Sequence, residues 1–181
     1  MPVTVAILGA GPLGRWLALA AARAGFRVLL EDVMPANLRN AEEFLRQQPA
    51  AAEGDCRNAV TLVSTIEDAV READLAIDCV PDELESKLEI FWLLDRMAPP
   101  HTVLATPTTR LSIADLADCT YRPAQCVAIA AEASALTAGA DKEILLRTTG
   151  QTAPETVALV RGFWEKLGFT LRFEQDTTIP R

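Results

Sequence analysis

Gly9-Ala10-Gly11-Pro12-Leu13-Gly14 sets three glycines at the spacing GxGxxG. That spacing carries chemistry when a strand runs into it and a helix leaves it. Val3–Leu8 reads as a buried apolar strand. Pro12–Ala24 is Ala/Leu-rich and closes at Gly25, a helix with a glycine stop. In this setting Gly9 permits the tight turn and Gly11 lets a pyrophosphate approach the backbone. Gly14 lets the helix pack against the strand. Pro12 and Leu13 open the helix, whose free N–H groups and positive dipole end face the phosphates.

An acid closing the second strand completes such a fingerprint. Asp32 lies 23 residues beyond Gly9, close to the expected ~20. Its carboxylate would accept from the adenosine ribose hydroxyls and repel a 2′-phosphate, which points to NAD rather than NADP. Glu31 competes for the role. A tight β–α turn followed by a solvated acid is the bland alternative.

The elements that must position these residues alternate along the chain. Strands are predicted at Arg27–Glu31, Ala59–Val63, Leu75–Val80, His101–Ala105, Cys126–Ala130, Glu143–Arg147 and Phe169–Phe173. Between them, Ala36–Gln47 and Glu83–Met97 read as helices by their apolar periodicity. Ser64 with Glu67, and Thr152 with Glu155, have capping-box spacing; Ser112 is placed to cap a short helix. Residues 48–58 read as a loop. The expected fold is α/β: one Rossmann-type, doubly wound, mostly parallel sheet of about eight strands, a single domain over residues 1–181.

Composition narrows the function classes. The chain has 181 residues and a net charge of −8. An acidic surface disfavours nucleic acid and anionic membrane as partners. The amino terminus shows no leader pattern, and Arg23 and Arg27 interrupt the apolar stretch 16–30. Cys56, Cys79, Cys119 and Cys126 lack CxxC spacing, and one His is present, so no metal set is expected. Reduced thiols in a cytoplasmic protein are the expectation.

Further motifs resemble the NAD-binding domain of the 3-hydroxyacyl-CoA dehydrogenases. Ala73–Asp82 (ADLAIDCVPD) is similar to the family's ADLVIEAVPE. Leu88–Phe91 and Leu94–Thr102 are similar to its KEIF and LDRIAPPHT. The resemblance implies an NAD-dependent oxidoreductase fold of fatty-acid metabolism. It also implies that Cys79, Val80, Pro81, Asp82 and Lys87 lie along the cofactor, Cys79, Asp82 and Lys87 on its nicotinamide side. Packing is the alternative for Cys79, and capping of the helix at Glu83 the alternative for Asp82.

The resemblance does not extend to the catalytic residues. Ala130 stands where the family has its His base and Ala133 where it has an Asn. Leu145 or Glu143 falls near the orienting acid, and Pro107 replaces the Asn of ASNTSSL. The one His, His101, matches a non-catalytic position. Thr109, Glu132 and Ser134 remain as polar candidates, with Lys87 and Tyr121 behind them. The region after Asp32 is shorter than the family's CoA-holding hairpin, and the chain ends where the family continues into a helical dimerisation domain. The expectation is an NAD(H)-binding module, redox-sensing or a partner subunit, lacking the family's activity. The alternative is an oxidoreductase on a small hydroxy or keto substrate with another proton donor. A homodimer or a complex with another protein is expected, with Trp92, Phe163 and Trp164 as apolar helix residues that can face outward.

Overall fold

The computed structural model describes residues 3–48, 59–130, 134, 136 and 142–176. Strands β1 (Thr4–Leu8), β2 (Arg27–Glu31), β3 (Val60–Val63), β4 (Leu75–Asp78), β5 (Val103–Pro107), β6 (Cys126–Ala130), β7 (Glu143–Thr148) and β8 (Thr170–Gln175) form one sheet. Their order is β3-β2-β1-β4-β5-β6-β7-β8. The first six run parallel; β7 is antiparallel to β6, and β8 is parallel to β7. The chain reverses direction across the sheet between β3 and β4, on either side of the first pair. Ligands bind at such a switch point, outside the carboxyl ends of the strands.

The helices are α1 (Pro12–Arg23), α2 (Pro35–Arg46), α3 (Ile66–Val70), α4 (Leu84–Met97), α5 (Ile113–Ala117) and α6 (Pro154–Lys166). Strand alternation sends Val5, Ile7, Val28, Leu30 and Ile77 into a core with α1 and α6. It sends Ala6, Leu8, Leu29 and Ala76 into a second core with α3, α4 and α5. The strands are apolar on both faces because both faces are covered. Phe163 and Trp164 are buried in the first core, where Trp164 meets Phe169 edge-on at 5.4 Å. That corrects the expectation of outward-facing aromatics for these two; Trp92 is 50% exposed.

Two caps differ from the sequence reading. Thr65, not Ser64, caps α3, its hydroxyl accepting from the Asp68 N–H. The N-cap of α6 is Ala153, with no side-chain cap, while Thr152 accepts from the Thr149 N–H in the preceding turn. Ser112 caps α5 as expected. Most of the loop read at 48–58, with Cys56, lies outside the described residues.

Helix α1 lies against β1 through a contact between two glycines. A Cβ on Gly14 would sit 1.8 Å from the Gly9 carbonyl oxygen. Gly14→Ala must therefore push the helix off the strand, at a cost of about 3 kcal/mol or more in urea unfolding. Gly11, with open space around its α-carbon, is the control: Gly11→Ala leaves stability within about 1 kcal/mol. Equal effects of the two substitutions would contradict this packing.

Candidate functional site

The glycine loop turns at Gly9, which adopts φ +104°, a left-handed conformation suited to glycine. A side chain there would also press on the Cys79 carbonyl, 3.1 Å from the Cβ position. Gly11 is the N-cap of α1 and Pro12 its first residue. The Leu13 and Gly14 amides consequently have no intrahelical acceptor and point toward the mouth of the loop. The open space over Gly11 fits a pyrophosphate, so the loop suits a dinucleotide.

Asp32 follows β2 and is 8% exposed. Its Oδ2 accepts from the Ala10 N–H at 2.8 Å and from Asn37 Nδ2 at 2.9 Å; its Oδ1 accepts from the Met34 N–H at 2.8 Å. Ala10 ties the acid to the glycine loop, and Asn37 ties it to α2. Oδ1 keeps lone-pair capacity for a ribose hydroxyl.

A cleft of about 530 Å³ runs across these groups. Gly9, Gly11, Pro12 and Asp32 line it from the loop side, Cys79, Val80 and Pro81 from the end of β4. Glu31, Asn37, Ile66 and Ile90 line it as well. Glu31 and Asp32 thus both reach the cleft. Leu13 is half-buried against the first core and Gly14 is buried.

Asp82 and Lys87 are placed differently. Lys87 is 1% exposed, and its ammonium meets Asp78 Oδ1 at 2.7 Å. Asp78 ends β4 and is fully buried. Burial pushes its carboxyl above the usual range, and the Lys87 charge opposes that rise. Removing Lys87 would strand a buried carboxylate. Asp82 does not cap α4, whose N-cap is Glu83 with no side-chain bond; the Asp82 carbonyl accepts from Arg110 at 2.8 Å. Burial holds the Cys79 thiol protonated, its pKa far above the usual range.

The candidates that the resemblance places on the catalytic side spread out. Ala130 ends β6, half-buried, and pairs across the antiparallel ladder with Leu145. Glu143 begins β7 and is exposed, with Arg172 at 2.8 Å. Thr109 and Ser134 are exposed, and Tyr121 is fully exposed. Glu132 and Ala133 lie outside the described residues. His101 precedes β5, at the opposite ends of the parallel strands from the cleft. No group of His, Cys, Asp and Glu among the described residues can hold a metal ion. No described helix is long and apolar enough to cross a membrane.

Sequence reasoning missed Asp78, Asn37, Ile66 and Ile90. Asp78 had a signal: an acid ending the apolar run Leu75–Ile77. The two isoleucines had none, because any core helix carries such residues.

Comparisons with known proteins agree with this geometry. Residues 4–170 match the family described as 3-hydroxyacyl-CoA dehydrogenase, NAD binding domain. The chain is 36% identical over 129 residues to a probable 3-hydroxybutyryl-CoA dehydrogenase of Bacillus subtilis (strain 168), covering 66% of this chain and 45% of that protein. It resembles in fold the 3-hydroxybutyryl-CoA dehydrogenase of Escherichia coli K12, with TM-score 0.83 and 24% identity, covering 97% of this chain and 38% of that one. A pyridine-carboxylate 5-dehydrogenase, described as an NAD⁺-dependent dismutase, matches with TM-score 0.80 and 26% identity, covering 98% and 59%. The chain thus spans less than half the length of the Bacillus relative.

Two outcomes follow from the acids at the end of β2. Asp32→Ala weakens NADH binding and narrows the gap between NADH and NADPH in calorimetry; equal or tighter NADPH binding by the unaltered chain contradicts the assignment. The Glu31 carboxyl is pushed up to about 7 by burial and by the neighbouring Asp32. The folded chain therefore holds this proton after the unfolded chain has lost it near 4.5. Folding stability falls as pH rises from about 4.5 to 7, by up to ~3 kcal/mol from this group. Urea titrations should show that decline reduced in Glu31→Gln; identical pH dependence in both proteins is the contrary result.

Proposed function

Because the chain belongs to the 3-hydroxyacyl-CoA dehydrogenase family through its NAD-binding domain, we propose that it is an NAD(H)-binding module that does not perform the family's oxidation by itself. NAD supplies a hydride acceptor or donor; Gly9–Gly14 and Asp32 hold its pyrophosphate and ribose. Val80 and Pro81 flank it, and Cys79, Asp82 and Lys87 support the nicotinamide-side wall. The observation that carries the reading is the pairing of Ala130 with Leu145. By the family resemblance these are the places of the base and, near it, the acid that orients it. A methyl and an isobutyl group there can neither take up the hydroxyl proton nor position a group that does. His101 stands at the far end of the sheet and cannot substitute.

The module acts in redox sensing or as a subunit of a larger assembly, as a homodimer or with another protein. Trp92 supports this with half its surface exposed under the Arg96 guanidinium, 4.8 Å from the ring centroid. The free thiols of Cys79, Cys119 and Cys126 fit the cytoplasm, and a role near fatty-acid metabolism follows the family. A second reading is favoured by the likeness to the NAD⁺-dependent dismutase. It is an oxidoreductase on a small hydroxy or keto substrate, with Thr109, Glu132 or Ser134 helping to move the proton.

The test is NADH formation from a short-chain 3-hydroxyacyl-CoA, beside a family enzyme carrying the His. Loss of a general base lowers the rate by roughly 10²–10⁴, and loss of positioning adds to it. Ala130→His should not restore turnover, since Leu145 offers no carboxylate. Turnover near the control's would overturn the reading.

A further inference from the structure

Glu31 is a buried acid without a described partner. It is 6% exposed and lines the cleft. Among the described residues its carboxyl has no hydrogen bond or ion pair, while its backbone belongs to the sheet and its carbonyl accepts from the Gly9 N–H at 2.8 Å. Strand alternation fixes where it points. Leu30 enters the core under α1, so Glu31, like Leu29, projects to the side of α3 and α4. There Ile66 from α3 and Ile90 from α4 form apolar walls, with Val80 and Pro81 at the end of β4 and Val33 at the mouth. These walls suit a flat aromatic base. An apolar slot that sandwiched only the base's faces would not require an acid at its edge, and a buried unpaired carboxyl is costly.

Asp32, the next residue, already accepts three protein hydrogen bonds and is placed for the ribose. The adenine is the next group along the dinucleotide. Its exocyclic N6 amino group is a donor, and besides Glu31 the carboxylate and amide side chains lining the cleft are Asp32, placed for the ribose, and Asn37, which is bound to Asp32.

We propose that Glu31 is a specificity residue for the adenine, its carboxylate accepting the N6 amino group while Ile66 and Ile90 enclose the ring. This rests on the chain binding NAD at Gly9–Gly14. The charged surroundings leave Glu31 free for the role. Val63 on β3 and Leu8 on β1 flank it in register and carry no charge. Asp78 lies one strand beyond Leu8 and is paired with Lys87. On α3, Asp68 is paired with Arg71 and Glu67 is exposed. On α2, Asn37 is neutral. Asp32 is the charge that acts on Glu31, and it raises the pH at which Glu31 ionises.

The experiment compares NADH with deamino-NADH, in which hypoxanthine presents an O6 acceptor where adenine has N6–H₂. Calorimetry at pH 8, with the full chain, should give about tenfold tighter binding of NADH, the scale of a charge-assisted hydrogen bond. Glu31→Gln should bring the two within about twofold, since an amide can accept from N6 or donate to O6. A second measurement needs no variant: in the unaltered chain, the preference for NADH should grow between pH 6 and pH 8 as the carboxyl ionises. Equal binding of the two dinucleotides at pH 8, or an unchanged preference in Glu31→Gln, overturns the role of Glu31 and leaves NAD binding standing. Binding of neither dinucleotide overturns both.

Discussion

The close approach of Gly14 to Gly9 is the contact on which the cleft depends. It brings the first turn of α1 over the end of β1, to a distance that excludes even a methyl group. From that position the loop reaches both neighbouring strands. The Gly9 amide donates to Glu31 and the Ala10 amide to Asp32, both from β2 or its end. On the other side the Cys79 amide donates to Leu8, and its carbonyl lies under Gly9. Three parallel strands are thus tied at their carboxyl ends by one loop, and the groups that face a dinucleotide hang from it.

Acids cluster at this rim, and each is handled differently. Asp32 is satisfied by backbone and amide donors that also hold the loop. Asp78 is neutralised by Lys87, a pair so buried that its value lies in geometry more than in net stability: it fastens α4, and with it the 79–83 turn, to the sheet. Glu31 alone has neither device among the described residues. In a chain of net charge −8, leaving one buried acid unpaired at a ligand cleft sacrifices stability at neutral pH. Such sacrifices concentrate where a ligand can compensate.

The cofactor cleft and the β6–β7 pair sit on different strands, which lets one change without the other. Gly9–Gly14 and Asp32 belong to β1, β2 and their connections. Ala130 and Leu145 belong to β6 and β7, two and three strands beyond β4. No hydrogen bond of the glycine loop passes through them. Alanine and leucine are compatible with the ladder between β6 and β7.

Local chemistry determined what the sequence could show alone. A glycine that needs φ +104°, a proline opening a helix, an acid ending a strand and apolar runs of strand length are all set by near neighbours. The loop, the acid at the end of β2 and the alternation were accordingly legible. Tertiary structure decided which residues meet across the sheet. Leu145 rather than Glu143 faces Ala130 because the β6–β7 register says so. Thr65 rather than Ser64 caps α3 because the end of β3 sets where the helix begins. Phe163 and Trp164 are core while Trp92 is exposed, though all three lie on amphipathic helices. Lys87 meets Asp78, and Glu31 faces the cleft beside Ile66 and Ile90, because side-chain direction alternates by residue while the partner comes from a distant element. Periodicity tells that a residue faces a core or a cleft; only the packing of the other elements tells what is on the other side.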